Sequence, residues 1–94
     1  MFILPNALSN RSADLAAGWA ASLTMGAGQF CTNPGVAIVS EGADAQAFIE
    51  AAKTALGDTP AQVMLTDGIA ENFASGTSTV AAQKGIDAEL TNAN

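Results

Sequence analysis

The segment from residue 26 to residue 35 limits what this chain can fold into, because it is rich in glycine and ends in Pro-Gly. Gly26 and Gly28 stand two positions apart, and a pair of glycines this close opposes the continuation of a helix. Residues before the segment have helical spacing, whereas residues 36–39 are apolar and mostly β-branched. The chain is therefore expected to change from helix to strand across this segment.

Helices are predicted on both sides of this break. The first begins near Ser12 and ends by Gly26, and its apolar stripe consists of Leu15, Trp19 and Leu23. The second has Gly57 as its C-terminal cap, and its apolar stripe consists of Ala45, Ile49, Ala52 and Leu56.

A third helix is predicted in the second half of the chain, with two alternative starting points. One is Thr59-Pro60, in a sequence that resembles a capping box, and the other is Thr66-Asp67. Apolar positions 69, 73 and 80 keep helical spacing until Lys84-Gly85. Residues 86–94 show no pattern and are predicted to be irregular.

Short apolar runs at residues 1–4 and 36–39 are predicted to be parallel strands. Together with the helices they predict an α/β fold, in which a parallel sheet is joined by crossover helices. Because two strands do not make a stable open sheet, the sheet is expected to be incomplete in residues 1–94 alone. With no linker or repeat visible, these residues are predicted to form one segment of a single domain.

The charge balance excludes several classes of partner. Nine acidic and three basic residues give a net charge of −6, so neither nucleic acid nor a membrane surface is an expected partner. Charged residues make up only 13% of the chain, against about 25% in a typical domain, which favours a segment packed on several sides. No signal sequence is visible and a single cysteine cannot form an internal disulfide, so a cytoplasmic location is expected.

Cys31 is the single cysteine of a chain that lacks histidine. This composition excludes a Cys–His hydrolase, a Cys-x-x-Cys redox pair and a Cys/His metal site, so no metal is predicted. Gly26 and Gly28 are not a dinucleotide fingerprint, since Cys31 stands where the third glycine would be. Residue type alone leaves two interpretations open. Cys31 is a nucleophile with small neighbours, or it is a buried structural cysteine in a small non-catalytic α/β interaction module.

The residues around Cys31 resemble those of a known family. The sequence Gly28-Gln29-Phe30-Cys31, preceded by Trp19 and by Ser22-Leu23-Thr24, resembles the catalytic-cysteine motif of the aldehyde dehydrogenase superfamily. The continuation Thr32-Asn33-Pro34-Gly35 is most similar to the branch of α-ketoglutaric semialdehyde (2,5-dioxovalerate) dehydrogenases, as are residues 2–5 and 64–69. Most of the superfamily has asparagine where this chain has Gly26, and this branch accepts glycine there.

The resemblance implies NAD- or NADP-dependent oxidation of a small aldehyde to a carboxylic acid, with 2,5-dioxovalerate giving 2-oxoglutarate. Cys31 would be the catalytic nucleophile, and its own backbone N–H would donate to the oxyanion that forms. The family's general-base glutamate, oxyanion asparagine and nucleotide-binding glycines belong before residue 1, and a further cofactor segment belongs after residue 94. The 94 residues alone are therefore predicted to be inactive, and the complete enzyme is expected to be a homo-oligomer.

Each neighbour of Cys31 has two interpretations. Gln29, with Gly28, orders the loop, or its amide is only solvated or bonded to backbone. Phe30 and Thr32 line the substrate pocket, or they serve in packing and in contacts with polar backbone. Trp19 faces the substrate tunnel, as its family position implies, or it belongs to the core, where a large aromatic in a helical stripe is usually found.

Overall fold

A computed structural model describes residues 1–89, and most of them lie in three helices. Helix α1 covers Pro5–Thr24, helix α2 covers Ala43–Gly57 and helix α3 covers Asp67–Ala81. A short 3₁₀ helix, Met25–Gly28, follows α1 directly. No helix in this part of the chain combines the length and the apolar character needed to cross a membrane.

Helix α1 begins earlier than the apolar pattern predicts. It starts at Pro5 rather than near Ser12, because the fixed φ of proline suits the first turn of a helix, where its missing N–H costs nothing. Its regularity breaks once, at Arg11, where φ is −141°. The predicted end is confirmed, since the helix stops at Thr24, just before Gly26 adopts a φ of +58°.

The core lies between α1 and α2. Its buried residues are Ile3, Leu8, Ala16, Ala45, Phe48 and Ala52. Ala16 has no exposed surface and Ala20, one turn further, is 2% exposed. Alanine side chains at these positions allow the two helices to approach closely, while Leu15 and Trp19 pack from the side as half-buried residues. The predicted stripe therefore flanks the contact and does not form its centre.

Substitution of Ala16 tests this close approach. Ala16→Leu is expected to lower the free energy of unfolding by about 1–3 kcal/mol, because a larger side chain must displace α2. Ala17→Leu is the matched control, because Ala17 is the exposed next residue of the same helix, and its effect should stay within about 0.5 kcal/mol. Urea denaturation followed by circular dichroism measures both, and equal effects would contradict the packing described.

Helix α2 confirms the predicted helix but rotates its buried face. Phe48 is 4% exposed, whereas Ile49, which the pattern placed in the stripe, is 39% exposed. Gly57 is the last helical residue, and the C-cap is Asp58 with ordinary right-handed dihedral angles. The glycine cap predicted from the sequence is therefore wrong by one position.

The predicted α/β fold with a parallel sheet is wrong. Within residues 1–89, the two presumed strands meet only in an isolated parallel bridge between Phe2 and Ile38. Two short segments cannot extend into a sheet when helices begin at Pro5 and Ala43 and supply no third strand. The side chains agree with this, since Phe2 is 77% exposed and Val36 is 66% exposed. The chain buries its apolar surface by helix packing instead.

Helix α3 starts at the second of the two predicted positions. The Thr66 hydroxyl accepts a hydrogen bond from the Ile69 N–H at 3.2 Å, which caps the helix. The alternative start at Thr59-Pro60 is wrong, and residues 60–64 have no regular structure. The helix ends at Ala81, before the predicted Lys84-Gly85. Residues 86–89 are irregular, as predicted, and the rest of that prediction, residues 90–94, lies outside the described part of the chain.

No residue of α3 is buried. Its apolar positions remain largely open, with Phe73 59% exposed and Val80 51% exposed. Unfolding α3 therefore exposes little additional apolar surface, whereas unfolding α1 or α2 opens the core.

Amide hydrogen exchange is expected to separate these regions. Amides inside α3 should exchange at least roughly tenfold faster than those inside α1 and α2, because the opening of α3 breaks no core contact. Exchange of the 94-residue chain, followed by NMR, measures the difference. Equal protection in all three helices would mean that α3 opens only together with the core.

Candidate functional site

Cys31 lies at the tip of a tight turn. The Asn33 N–H donates to the Phe30 carbonyl at 3.0 Å, so Cys31 and Thr32 are the two central residues of a β-turn. The thiol is exposed. The interpretation of Cys31 as a buried structural cysteine is therefore wrong, and the sulfur is accessible to a small molecule.

The backbone that leads into this turn is left-handed over three residues. The φ angles are +58° at Gly26, +56° at Ala27 and +74° at Gly28. Glycine adopts this conformation freely, but Ala27 does so against a steric cost. This stretch turns the chain sharply away from the axis of α1 and sends it towards Cys31.

Gly26 is also required by the position of the Phe30 ring. A Cβ atom on residue 26 would lie 2.5 Å from Phe30 Cε2, much closer than side-chain atoms approach one another. The ring packs over the glycine while 54% of Phe30 stays exposed. The glycine at this position and the phenylalanine four residues later therefore depend on each other sterically.

Two glutamine side chains connect the left-handed stretch to residues 62–65. The Ala27 N–H donates to Gln62 Oε1 at 2.7 Å. The Leu65 N–H donates to Gln29 Oε1 at 2.9 Å, and Gln29 Nε2 donates to the Gly26 carbonyl at 3.0 Å. The amide of Gln29 is thus bonded to backbone on both of its sides. Its predicted role in ordering the loop stays a prediction.

The far side of the turn is tied back to α1. Asn33 Nδ2 donates to the Leu23 carbonyl at 2.7 Å, which pairs one of the open carbonyls at the end of the helix. Trp19 Nε1 donates to the Pro34 carbonyl at 2.7 Å. The Trp19 ring lies against Phe48, with centroids 6.0 Å apart. The residues that follow Cys31 in the turn are therefore tied to α1.

Asn33 offers a direct test of this connection. Asn33→Ala is expected to lower the free energy of unfolding by about 0.5–1.5 kcal/mol, because it leaves the Leu23 carbonyl without its partner. Asn33→Asp should cost at least as much, since a carboxylate cannot donate to a carbonyl. Thr32→Ala, at an exposed neighbour, is the control and should change little. A tolerated aspartate would show that donation by Asn33 contributes nothing to stability.

The three residues predicted to form a substrate pocket are not equivalent. Phe30 and Thr32 lie on either side of Cys31 in the exposed turn, whereas Trp19 packs against the core. Cys31 lines neither of two grooves found among residues 1–89. A role in substrate binding stays a prediction for all three residues.

The backbone N–H of Cys31 has no hydrogen-bond acceptor among residues 1–89. The hydrogen bond that closes the turn is donated by the Asn33 N–H and does not use the Cys31 N–H. The Cys31 N–H is therefore available as a donor beside its own sulfur. A free N–H next to a thiol is the kind of donor that stabilises an oxyanion formed when the sulfur attacks a carbonyl.

Basic side chains are remote from the turn in sequence, and residues 26–35 contain none. Lys53 is engaged elsewhere, since its Nζ lies 2.6 Å from Glu89 and 3.2 Å from Glu50. Hydrogen bonds to Glu89 and then to Glu50 raise the pKa of Lys53 above its ordinary value. The ammonium group of this lysine is paired with these two carboxylates.

Sequence reasoning missed Gln62. Its partner Ala27 lies 35 residues away in the chain, and a glutamine in an irregular segment carries no sequence signal of such a contact. Asn33, by contrast, contacts backbone close to it in sequence, at the Leu23 carbonyl.

The chain is related to aldehyde dehydrogenases through a local match. It is 43% identical over 84 residues to a protein named alpha-ketoglutaric semialdehyde dehydrogenase 2 from Azospirillum brasilense, across 89% of this chain and 16% of that protein. It is 32% identical over 90 residues to alpha-ketoglutaric semialdehyde dehydrogenase from Acinetobacter baylyi, across 96% of this chain and 15% of that protein. The chain spans about one sixth of the length of these curated relatives. No protein-family model matches it.

Proposed function

We propose that this chain carries the nucleophilic cysteine of a longer NAD(P)+-dependent aldehyde dehydrogenase. The observation that carries the proposal is the 43% identity to a semialdehyde dehydrogenase across 89% of the chain. Support from the site comes from the exposed thiol of Cys31 at the tip of a turn. A nucleophile of this kind needs both access for its substrate and a fixed backbone around it.

In the proposed reaction, the sulfur of Cys31 attacks the aldehyde carbon. A C–S bond forms, the carbonyl π electrons move to the oxygen, and the thiol proton leaves to a base. The resulting oxyanion accepts a hydrogen bond from the Cys31 N–H, which has no other acceptor among residues 1–89. Transfer of hydride from the thiohemiacetal carbon to an oxidised nicotinamide held outside this chain would leave a thioester on Cys31. Water then cleaves the C–S bond, which releases the carboxylic acid and restores the thiol.

A bound nicotinamide dinucleotide would supply the acceptor for this hydride. Residues 1–89 do not fit such a group, because none of their helices offers a suitable N-terminus for its phosphates. Helix α1 starts with Pro5, which lacks an N–H, and α2 and α3 have Asp44 and Asp67 in their first turns. A carboxylate there repels an anion that the helix dipole would otherwise attract. We therefore assign cofactor binding to polypeptide outside this chain.

The substrate that we propose is α-ketoglutaric semialdehyde, the compound in the names of both relatives. This aldehyde carries one carboxylate, and residues 26–35 provide no basic side chain to pair with it. Recognition of the carboxylate is therefore assigned to residues outside this turn. The turn would supply the groups that act on the aldehyde carbon and oxygen, namely the thiol and the N–H of Cys31.

Cys31→Ser in the complete dehydrogenase tests the proposal. Activity with α-ketoglutaric semialdehyde, measured as formation of NADH or NADPH, should fall by ~10³-fold or more, because a hydroxyl is a far weaker nucleophile than a thiolate. Ser40→Ala is the control, at an exposed position outside the turn, and should keep nearly full activity. The aldehyde should also protect Cys31 from alkylation by iodoacetamide. Substantial activity in the serine variant would refute the assignment.

A further inference from the structure

The conformation of Ala27 needs a cause outside the residue itself. It is the one non-glycine residue among residues 1–89 with a positive φ, at +56°. For an L-residue with a Cβ atom, this region is disfavoured by roughly 5- to 30-fold relative to ordinary backbone conformations. Alanine has no polar side chain with which to stabilise the turn locally, unlike asparagine or aspartate. The contact that holds Ala27 must come from elsewhere in the fold.

Gln62 provides that contact. Its Oε1 accepts from the Ala27 N–H at 2.7 Å, a shorter hydrogen bond than the two that the Gln29 side chain makes. Gln62 lies in the irregular segment between α2 and α3, on a groove that the ends of α1 and α2 also line. The bond therefore joins the left-handed stretch to a segment 35 residues further along.

A second bond in the opposite direction reinforces the first. Gln29, the residue after the left-handed stretch, accepts a hydrogen bond from the Leu65 N–H, while Gln62 accepts one from the Ala27 N–H. Each glutamine side chain thus bonds to the backbone of the opposite segment. Ala27 and Gln29 are two residues apart in the chain, and Gln62 and Leu65 are three residues apart. Together they fix the orientation of residues 26–29, which lead directly into the turn that carries Cys31.

We propose that Gln62 is a positioning residue for Cys31, acting by holding Ala27 in its left-handed conformation. The consequence for catalysis rests on the proposed function of Cys31, whereas the conformational effect does not. Among residues 1–89, the one hydrogen bond made by the Gln62 side chain is to Ala27, so its effect passes through Ala27 and the backbone up to Phe30. Only Oε1 of Gln62 is used, because its Nε2 has no partner among these residues.

Four variants of the 94-residue chain test the conformational effect through the Leu65 amide, whose exchange reports the bond to Gln29. Gln62→Met keeps the side-chain length but removes the acceptor, and exchange at Leu65 should accelerate by roughly 5- to 30-fold as Ala27 relaxes. Adding Ala27→Gly should restore protection to within about twofold, because glycine keeps a positive φ without support. Gln62→Glu should also keep protection, since a carboxylate oxygen accepts the same bond. Gln83→Met, at an exposed glutamine outside the site, should change nothing.

The complete dehydrogenase tests the consequence for Cys31. There, Gln62→Met should lower kcat by a similar 5- to 30-fold with a smaller change in KM, and Ala27→Gly should recover most of the loss. An equal loss with and without Ala27→Gly would overturn the proposal, as would unchanged exchange at Leu65. If Cys31→Ser kept full activity while the exchange results held, the proposed function would fail and the conformational role of Gln62 would stand.

Discussion

The left-handed stretch at residues 26–28 is the constraint on which the rest of the site depends. A helix that ends at Thr24 leaves its last carbonyls open, and the chain must turn back for any side chain to pair with them. Three successive positive φ angles, which begin two residues after Thr24, make that turn. The reversal brings Asn33 to the Leu23 carbonyl and the Pro34 carbonyl to Trp19. Cys31 lies at the tip of a turn whose far side is anchored on α1.

The sequence predicted those features that depend only on residues close to one another in the chain. The pair Gly26 and Gly28 placed the end of α1 correctly, since glycine in a left-handed conformation stops a helix whatever surrounds it. Thr66 was one of two predicted N-caps, and it is a local signal because its hydroxyl accepts from the third following N–H. The start of α1 was missed because Pro5 is compatible both with ending a strand and with beginning a helix. Proline by itself does not distinguish these outcomes.

The remaining errors concern contacts between segments distant in sequence. Whether Phe48 or Ile49 faces the core depends on where α1 lies, and the spacing of α2 alone allows either. The predicted sheet failed for the same reason: residues 1–4 and 36–39 have strand composition, but a sheet needs partners that residues 1–89 do not supply. The bond between Gln62 and Ala27 has no counterpart in any local pattern. The contacts that hold the turn of Cys31 could not be predicted from its sequence neighbours.

The two sides of the turn are supported by regions of unequal stability. Asn33 and Trp19 attach it to α1, which is packed against α2 across a buried alanine surface. The stretch before the turn is instead held by residues 62–65, in a segment where Val63 is 94% exposed and Leu65 is 82% exposed. Few buried contacts fix residues 62–65, so this segment depends on the two glutamine hydrogen bonds for its order. Residues 26–29 depend on the same two bonds. The backbone around Cys31 is therefore attached on one side to the packed helix α1. On the other side it is attached to residues 62–65, which have few buried contacts. Contacts that order residues 62–65 would in turn fix the backbone leading to Cys31.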